Sequence, residues 1–314
     1  PAVERAFCSA TPTIDRPFMP SRTDAWFVTA GLRPVRLALV AATALRAAAP
    51  ETPRPAIPGK FVWFDLLATD SAAAEKFYGG LFGWTFELQK QKGRENPYKA
   101  VRLAGVPIGG IVDVSARKAE VPASVWLSYV SVPDVEKTTE EFRRRNGKVL
   151  RGPSQVGEYA RAAVVVDPQG ALLGLAHISK GDPPDGAAVP DGAFLWMEYV
   201  AEDAPAAIAF YGDALGYTAE KIEGGANVEY FALKAGGIPR AGLYARPWKE
   251  IRSNWLPYVK VADAAAAAKK AEALGGRVVL APKPEVRNGS LAIVTDPNGA
   301  AVALQQWPIA GQAK

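Results

Sequence analysis

The stretch Phe61-Val62-Trp63-Phe64-Asp65-Leu66 returns 133 residues later as Phe194-Leu195-Trp196-Met197-Glu198-Tyr199. The same offset carries Phe77-Tyr78-Gly79 onto Phe210-Tyr211-Gly212, and Leu81-Phe82-Gly83-Trp84-Thr85 onto Ala214-Leu215-Gly216-Tyr217-Thr218. Farther along, Trp126-Leu127-Ser128-Tyr129-Val130 returns as Trp255-Leu256-Pro257-Tyr258-Val259, and Asp167-Pro168-Gln169-Gly170-Ala171 as Asp296-Pro297-Asn298-Gly299-Ala300, both at an offset of 129. Two registers held over such a length mark a tandem duplication with a small change of loop length between them. The copies span residues 59–180 and 191–310. The linker, 181–190, opens with the turn-forming run Gly181-Asp182-Pro183-Pro184-Asp185-Gly186.

A length of 314 residues suits two domains of ordinary size. Forty-nine per cent hydrophobic and 22 per cent charged residues exclude a disordered, collagenous or disulfide-scaffold chain. The net charge of +5 is spread thinly, and no basic run exceeds Arg143-Arg144-Arg145, so no nucleic-acid partner is expected. Cys8 is the only cysteine and His177 the only histidine. The folded part therefore has no disulfide, thiolate zinc site, cysteine nucleophile or multi-histidine metal centre within one chain.

Residues 1–58 are rich in proline and alanine without helical or strand periodicity, and read as lying outside the fold. Within them, Arg33 and Arg36 precede an apolar run from Leu37 to Leu45, with Ala47-Ala48-Ala49 after it, the outline of a secretory signal that Arg46 interrupts. Two readings stay open: an export signal, placing the protein in the periplasm, or an unstructured extension of a cytoplasmic one. The run is short of the ~20 apolar residues of a spanning helix, so no transmembrane span is expected.

Each copy repeats one local pattern. An apolar strand from Phe61 to Leu67 runs into Thr69-Asp70-Ser71, a capping sequence, after which Ala74, Phe77, Tyr78, Leu81 and Phe82 recur at helical spacing up to Gly83. Strands are expected at Tyr98–Leu103 and Ile108–Val114, with Gly109-Gly110 as a bulge or close approach. The unit restarts with a strand at Val125–Val132, a helix at Asp134–Asn146 and strands near Lys148–Leu150, Tyr159–Val166 and Leu172–Ile178. An amphipathic surface helix is expected at Asp263–Leu274. The class is α+β, with mostly antiparallel sheets carrying helices on one side.

This order, with the strand-Thr-Asp-helix-Phe-Tyr-Gly-x-Leu-Phe-Gly-Trp opening and the Asp-Pro-x-Gly-Ala turn before the last strand, resembles the vicinal oxygen chelate superfamily of glyoxalase I, extradiol dioxygenases and bleomycin-resistance proteins. The resemblance covers residues 59–308 and implies two tandem glyoxalase-like domains, each of two βαβββ units curled into a cup. The copies would pair within the chain or across a homodimer. Metal-dependent relatives hold a divalent ion in the cup. Here the corresponding positions carry Trp63 or Phe64, Trp126 or Leu127 and Gly174 in the first copy, and Trp196 or Met197, Trp255 or Leu256 and Ala303 in the second. These are poor donors for a hard or borderline cation, and Asp113 alone cannot make a site. No metal and no cofactor are therefore expected.

The resemblance then implies apolar cups in which Trp63, Phe64, Tyr98, Trp126, Trp196, Met197, Tyr230 and Trp255 either line a site for a small, partly apolar molecule or fill the core. Asp65 and Glu198, two residues past a tryptophan and on its strand face, are candidate bases or cation anchors; equally, they are strand-edge charges or salt-bridge partners of a helix. His177 is a candidate acid or base, or a hydrogen-bonded group at a strand end. The leading expectation is a metal-independent small-molecule binder of the resistance type. The alternatives are a lyase or dioxygenase with an unorthodox site built from Asp65, Glu198, His177 or Asp113, and an interaction protein with filled cups. Phosphate-binding glycine loops, a Gly-x-Ser-x-Gly elbow and His-Glu-x-x-His are absent.

Overall fold

Alternation of buried and half-buried side chains along Phe61–Ala68 makes it a strand, β1, with one face in the core and the other partly covered. The computed structural model describes residues 54–89, 98–117, 123–186, 189–222 and 229–308; the signal-like stretch and Cys8 lie outside them. In the first domain β1 is followed by α1 (Ser71–Phe82), β2 (Thr85–Gln89), β3 (Tyr98–Leu103) and β4 (Val106–Asp113). The unit repeats as β5 (Val125–Ser131), α2 (Val135–Arg144), β6 (Lys148–Val156), β7 (Ala160–Val166) and β8 (Leu172–Ile178). The second domain gives β9 (Phe194–Ala201), α3 (Ala204–Leu215), β10 (Thr218–Ile222), β11 (Tyr230–Ala235) and β12 (Ile238–Ala245). It closes with β13 (Asn254–Val261), α4 (Ala264–Ala273), β14 (Arg277–Leu280), β15 (Leu291–Thr295) and β16 (Ala301–Gln306).

Local chemistry explains the helix ends. Asp70, Asp134, Asp203 and Asp263 each accept a backbone N–H of the first helical turn. Gly83 and Gly216 end α1 and α3 in the left-handed region, at φ of 73° and 71°. The sequence reading missed β2, because it is an edge strand with Leu88 exposed and no apolar face to betray it.

Each domain is one eight-stranded sheet, in the orders β2-β3-β4-β1-β5-β8-β7-β6 and β10-β11-β12-β9-β13-β16-β15-β14. Within each unit the first and last strands run parallel, and the two units meet through antiparallel β1–β5 or β9–β13 pairs. β1 and β9 are therefore interior strands, so neither Asp65 nor Glu198 is a strand-edge charge.

The helices and one face of each sheet share a continuous core that joins the two domains within the chain. Phe64 stacks on Phe194 with ring centroids 3.8 Å apart. Equivalent groups of the two copies are exchanged across the junction: Trp84 Nε1 donates to the Gly192 carbonyl (2.7 Å) and Tyr217 Oη to the Gly59 carbonyl (2.5 Å). Likewise Tyr78 donates to Asp296 (3.3 Å), and Tyr211 (2.7 Å) and Tyr199 (2.5 Å) to Asp167, the two acids being those of the repeated Asp-Pro turns. The α4 helix is the amphipathic surface helix its sequence implies, burying Ala264, Ala268 and Ala271 and exposing Lys269, Lys270 and Glu272; at its C-terminus an added Cβ at Gly80 of α1 would lie 2.8 Å from Leu274.

Candidate functional site

On β1 the pleat sends Trp63 and Asp65 to the face opposite the helices, and Phe64 and Leu66 into the core. Trp63 Nε1 donates to Asp65 Oδ1 (2.9 Å) and to Tyr98 Oη (3.1 Å), while Tyr98 Oη donates to the same Oδ1 (3.0 Å). The register places Asp65 opposite Gly110 and Tyr129 opposite Gly174. A Cβ at Gly110 would lie 2.2 Å from Tyr98 Oη, and one at Gly174 would lie 2.2 Å from the Tyr129 ring. The two glycines exist so that tyrosine rings can lie over the sheet where a longer side chain would otherwise project.

Above these rings the first cup opens into a cavity of about 720 Å³, walled by Trp63, Tyr98, Tyr129 and exposed Tyr159, with Trp196 of the second domain contributing. Phe64 and Met197 border it from the core side. For Trp126 and Trp255 the cup reading is corrected in favour of the core one: both are buried on the helix face, Trp255 Nε1 donating to Tyr211 Oη (2.9 Å), and neither borders the cavity. The reason is parity, since their strand positions share the pleat face of Val130 and Val259 in the core.

The second cup is built from the same parts but filled from within. Glu198 accepts from Tyr230 Oη (2.8 Å), from Tyr258 Oη and from Arg287 Nη2. Arg287 also donates from Nη1 to Gln305 Oε1 (2.9 Å), and its guanidinium carbon lies 5.2 Å from the Tyr258 ring centroid. Burial, then the Glu198 charge, push the Tyr230 and Tyr258 hydroxyls well above their ordinary pKa. Burial works against the Arg287 charge, yet Glu198 beside it holds its pKa above the ordinary value. Arg287 sits on the short turn before β15. Its counterpart in the first copy is exposed Glu158, and that of Gln305 is Ala176, so the first cup has no equivalent plug from this hairpin. Nothing in the repeat pattern singles out Arg287, because it has no matching partner in the other copy.

A second group missed by the sequence reading lies where the cavity meets the linker. Lys60 and Arg240 both border the cavity and share Asp185 Oδ1, at 3.4 and 2.9 Å. Burial, partly offset by Asp185, lowers the Lys60 amine to a pKa of about 8. The sequence signal available was only the charge pair of a linker aspartate with two distant cations.

The remaining candidates are dispersed. His177 faces away from the cavity, with Nδ1 3.2 Å from the Val132 carbonyl oxygen. Asp113 is engaged by Ser71 Oγ (2.7 Å) and the Ser115 amide (2.9 Å). The cup-facing positions at which the interior strands meet are Asp65, Gly110, Tyr129 and Gly174 in one domain, and Glu198, Gly242, Tyr258 and Ala303 in the other. Among the described residues no three His, Cys, Asp or Glu side chains come together. One carboxylate per cup does not fit a resident divalent ion, which takes three or more protein donors in most catalytic sites.

The sequence profile of the Glyoxalase/Bleomycin resistance protein/Dioxygenase superfamily matches residues 60–175 and 193–304. "Putative glyoxylase CFP32" of Mycobacterium tuberculosis is 31% identical over 240 residues, covering 76% of this chain and 91% of that one. "Anthracycline biosynthesis protein DnrV" of Streptomyces peucetius is 29% identical over 259 residues, 79% of this chain and 93% of that one. The crystal structure of the Mn(II)-bound glyoxalase from Novosphingobium aromaticivorans superposes with a TM-score of 0.54 at 12% identity, over 79% of this chain and 82% of that one, a likeness of fold.

Proposed function

Because the chain belongs to the Glyoxalase/Bleomycin resistance protein/Dioxygenase superfamily, and because its own donors do not compose a divalent-metal site, we propose that it binds a flat, partly apolar small molecule in the first-domain cup without a resident metal. The observation that carries this reading is the cavity of about 720 Å³ walled by Trp63, Tyr98, Tyr129 and Trp196. Its size lies within the ~300–1,000 Å³ of ordinary ligand pockets, and aromatic walls favour planar, stacking occupants. One relative is named for anthracycline biosynthesis. Anthracyclines are flat and polycyclic, a shape these walls would accommodate, and that analogy supports the ligand class without identifying the ligand.

In this reading the residues act by binding and orienting. Trp63, Tyr98 and Tyr129 supply stacking surface, while the Trp63–Tyr98–Asp65 hydrogen bonds hold two of the rings in place. The second domain acts as a scaffold, its cup occupied by Arg287. A lyase or dioxygenase built on Asp65, Glu198, His177 and Asp113 has less support, since those groups lie in separate places.

The test titrates a flat anthraquinone into the full chain and follows tryptophan fluorescence, before and after chelator treatment, with metal analysis of the same sample. Saturable binding that survives chelation and weakens about tenfold in Trp63→Ala is expected, the loss of one stacking ring. Binding or turnover that requires a stoichiometric divalent metal would overturn the proposal.

A further inference from the structure

The cavity has a polar end that its aromatic walls do not explain. Lys60 and Arg240 line it, and their side chains retain only 2% and 4% of their exposure. Two buried cations share one oxygen of one carboxylate, Asp185. Lys60 Nζ also donates to the Pro183 carbonyl. The nearby Asp182 is itself buried, accepts the Ile57 amide through Oδ2 (2.5 Å), and attracts Lys60 only weakly. Arg240 offers a planar fork of five N–H donors, of which Nη1 meets Asp185, while Nε is buried with no acceptor. A buried donor left without an acceptor is costly, so this guanidinium keeps hydrogen-bonding capacity that its own chain does not fill. Farther out, Arg102, Arg151 and Lys180 border the same cavity, Arg102 being paired with Glu87. The other lining acids are Asp65, which accepts from Trp63 and Tyr98, and Asp191, which is paired with Lys260.

We infer that the ligand of this cavity is an aromatic anion, its rings against Trp63, Tyr98 and Tyr129 and its carboxylate, sulfonate or phenolate oxygen against Arg240 and Lys60. The inference rests on the first-cup binding reading and adds the charge and orientation of the occupant. Asp185 then serves as a positioning residue that holds both cations at the cavity wall.

The experiment compares 1-anilinonaphthalene-8-sulfonate with its neutral analogue N-phenyl-1-naphthylamine on the full chain. The anionic probe is expected to bind about tenfold more tightly, the scale of one charge-assisted hydrogen bond. Arg240→Met should remove that preference while leaving the neutral probe within about twofold, and Arg240→Lys should keep part of it. Arg151→Gln, on the exposed rim, should change the ratio less than twofold at about 0.15 M salt. If the neutral probe binds but the anionic one gains nothing, or the gain survives in Arg240→Met, the inference fails and the cavity reading stands. If neither probe binds the unaltered protein, both fail. Should Arg240→Met lose both probes, a preference in the unaltered protein that does not fall between about 0.05 and 0.5 M salt overturns the inference, and one that falls, with Arg240→Lys retaining it, upholds it.

Discussion

Arg287→Met removes the plug of the second cup and exposes the energetics of its design. The substitution keeps much of the side-chain volume but deletes the ion pair to Glu198, the hydrogen bond to Gln305 Oε1 at 2.9 Å and the cation 5.2 Å from the Tyr258 ring. Glu198, with 2% of its side-chain surface exposed, is left with two tyrosine hydroxyls and no counter-charge. Breaking a buried pair from one side costs about 3–5 kcal/mol, mostly because a desolvated charge is stranded. The assay is urea unfolding followed by tryptophan fluorescence, run for Arg287→Met, Glu198→Gln and the double variant. The double variant should recover most of the loss, giving a coupling energy of about 2 kcal/mol or more, because two neutral groups replace the pair. A loss under about 1 kcal/mol in Arg287→Met, the range of an exposed ion pair, would refute the account of the second cup as internally sealed.

Three further outcomes follow from the same geometry. Lys60, facing Asp185, Asp182 and Arg240, holds its proton less tightly folded than unfolded, so between pH about 8 and 10.5 the unfolded chain binds more protons and its contribution to stability rises with pH; anionic-probe affinity should fall across the start of that window, and Lys60→Arg should flatten the fall. Gly174→Ala should cost about 1–3 kcal/mol and weaken probe binding, since its Cβ would sit 2.2 Å from the Tyr129 ring, whereas Gly152→Ala, with nothing within 4 Å, should leave probe binding unchanged in a parallel titration. Asp167→Asn, which weakens the acceptor of two tyrosine hydroxyls at 2.5 and 2.7 Å, should lower the thermal midpoint more than Asp296→Asn, which serves one at 3.3 Å; equal shifts in calorimetry would contradict this reading of the domain junction.

The legible part of the candidate site follows strand parity. Trp63, Asp65 and Tyr98 could be picked out because a residue two places along a strand shares its face, and the repeat pointed to the same positions twice. Parity alone could not say which face meets the helices, and so it left Trp126 and Trp255 open between cup and core, where they pack. The β2 strand escaped notice because an exposed edge strand carries no apolar alternation. Arg287 and the Lys60–Asp185–Arg240 group were out of reach, because each joins residues whose separation in the chain has no bearing on their distance in space.

The sequence by itself determined the duplication, the α+β units, the aspartate-capped helices and the single histidine and single cysteine, since all of these are encoded in local period, local capping chemistry and residue type. Only the tertiary structure decided that the two domains pack on each other through their helix faces, that one cup holds a cavity while the other is filled by its own arginine, and that glycines lie beneath tyrosine rings. Those outcomes depend on which side chains a sheet brings within a few ångströms of one another, and register and packing set that distance after the local elements have formed.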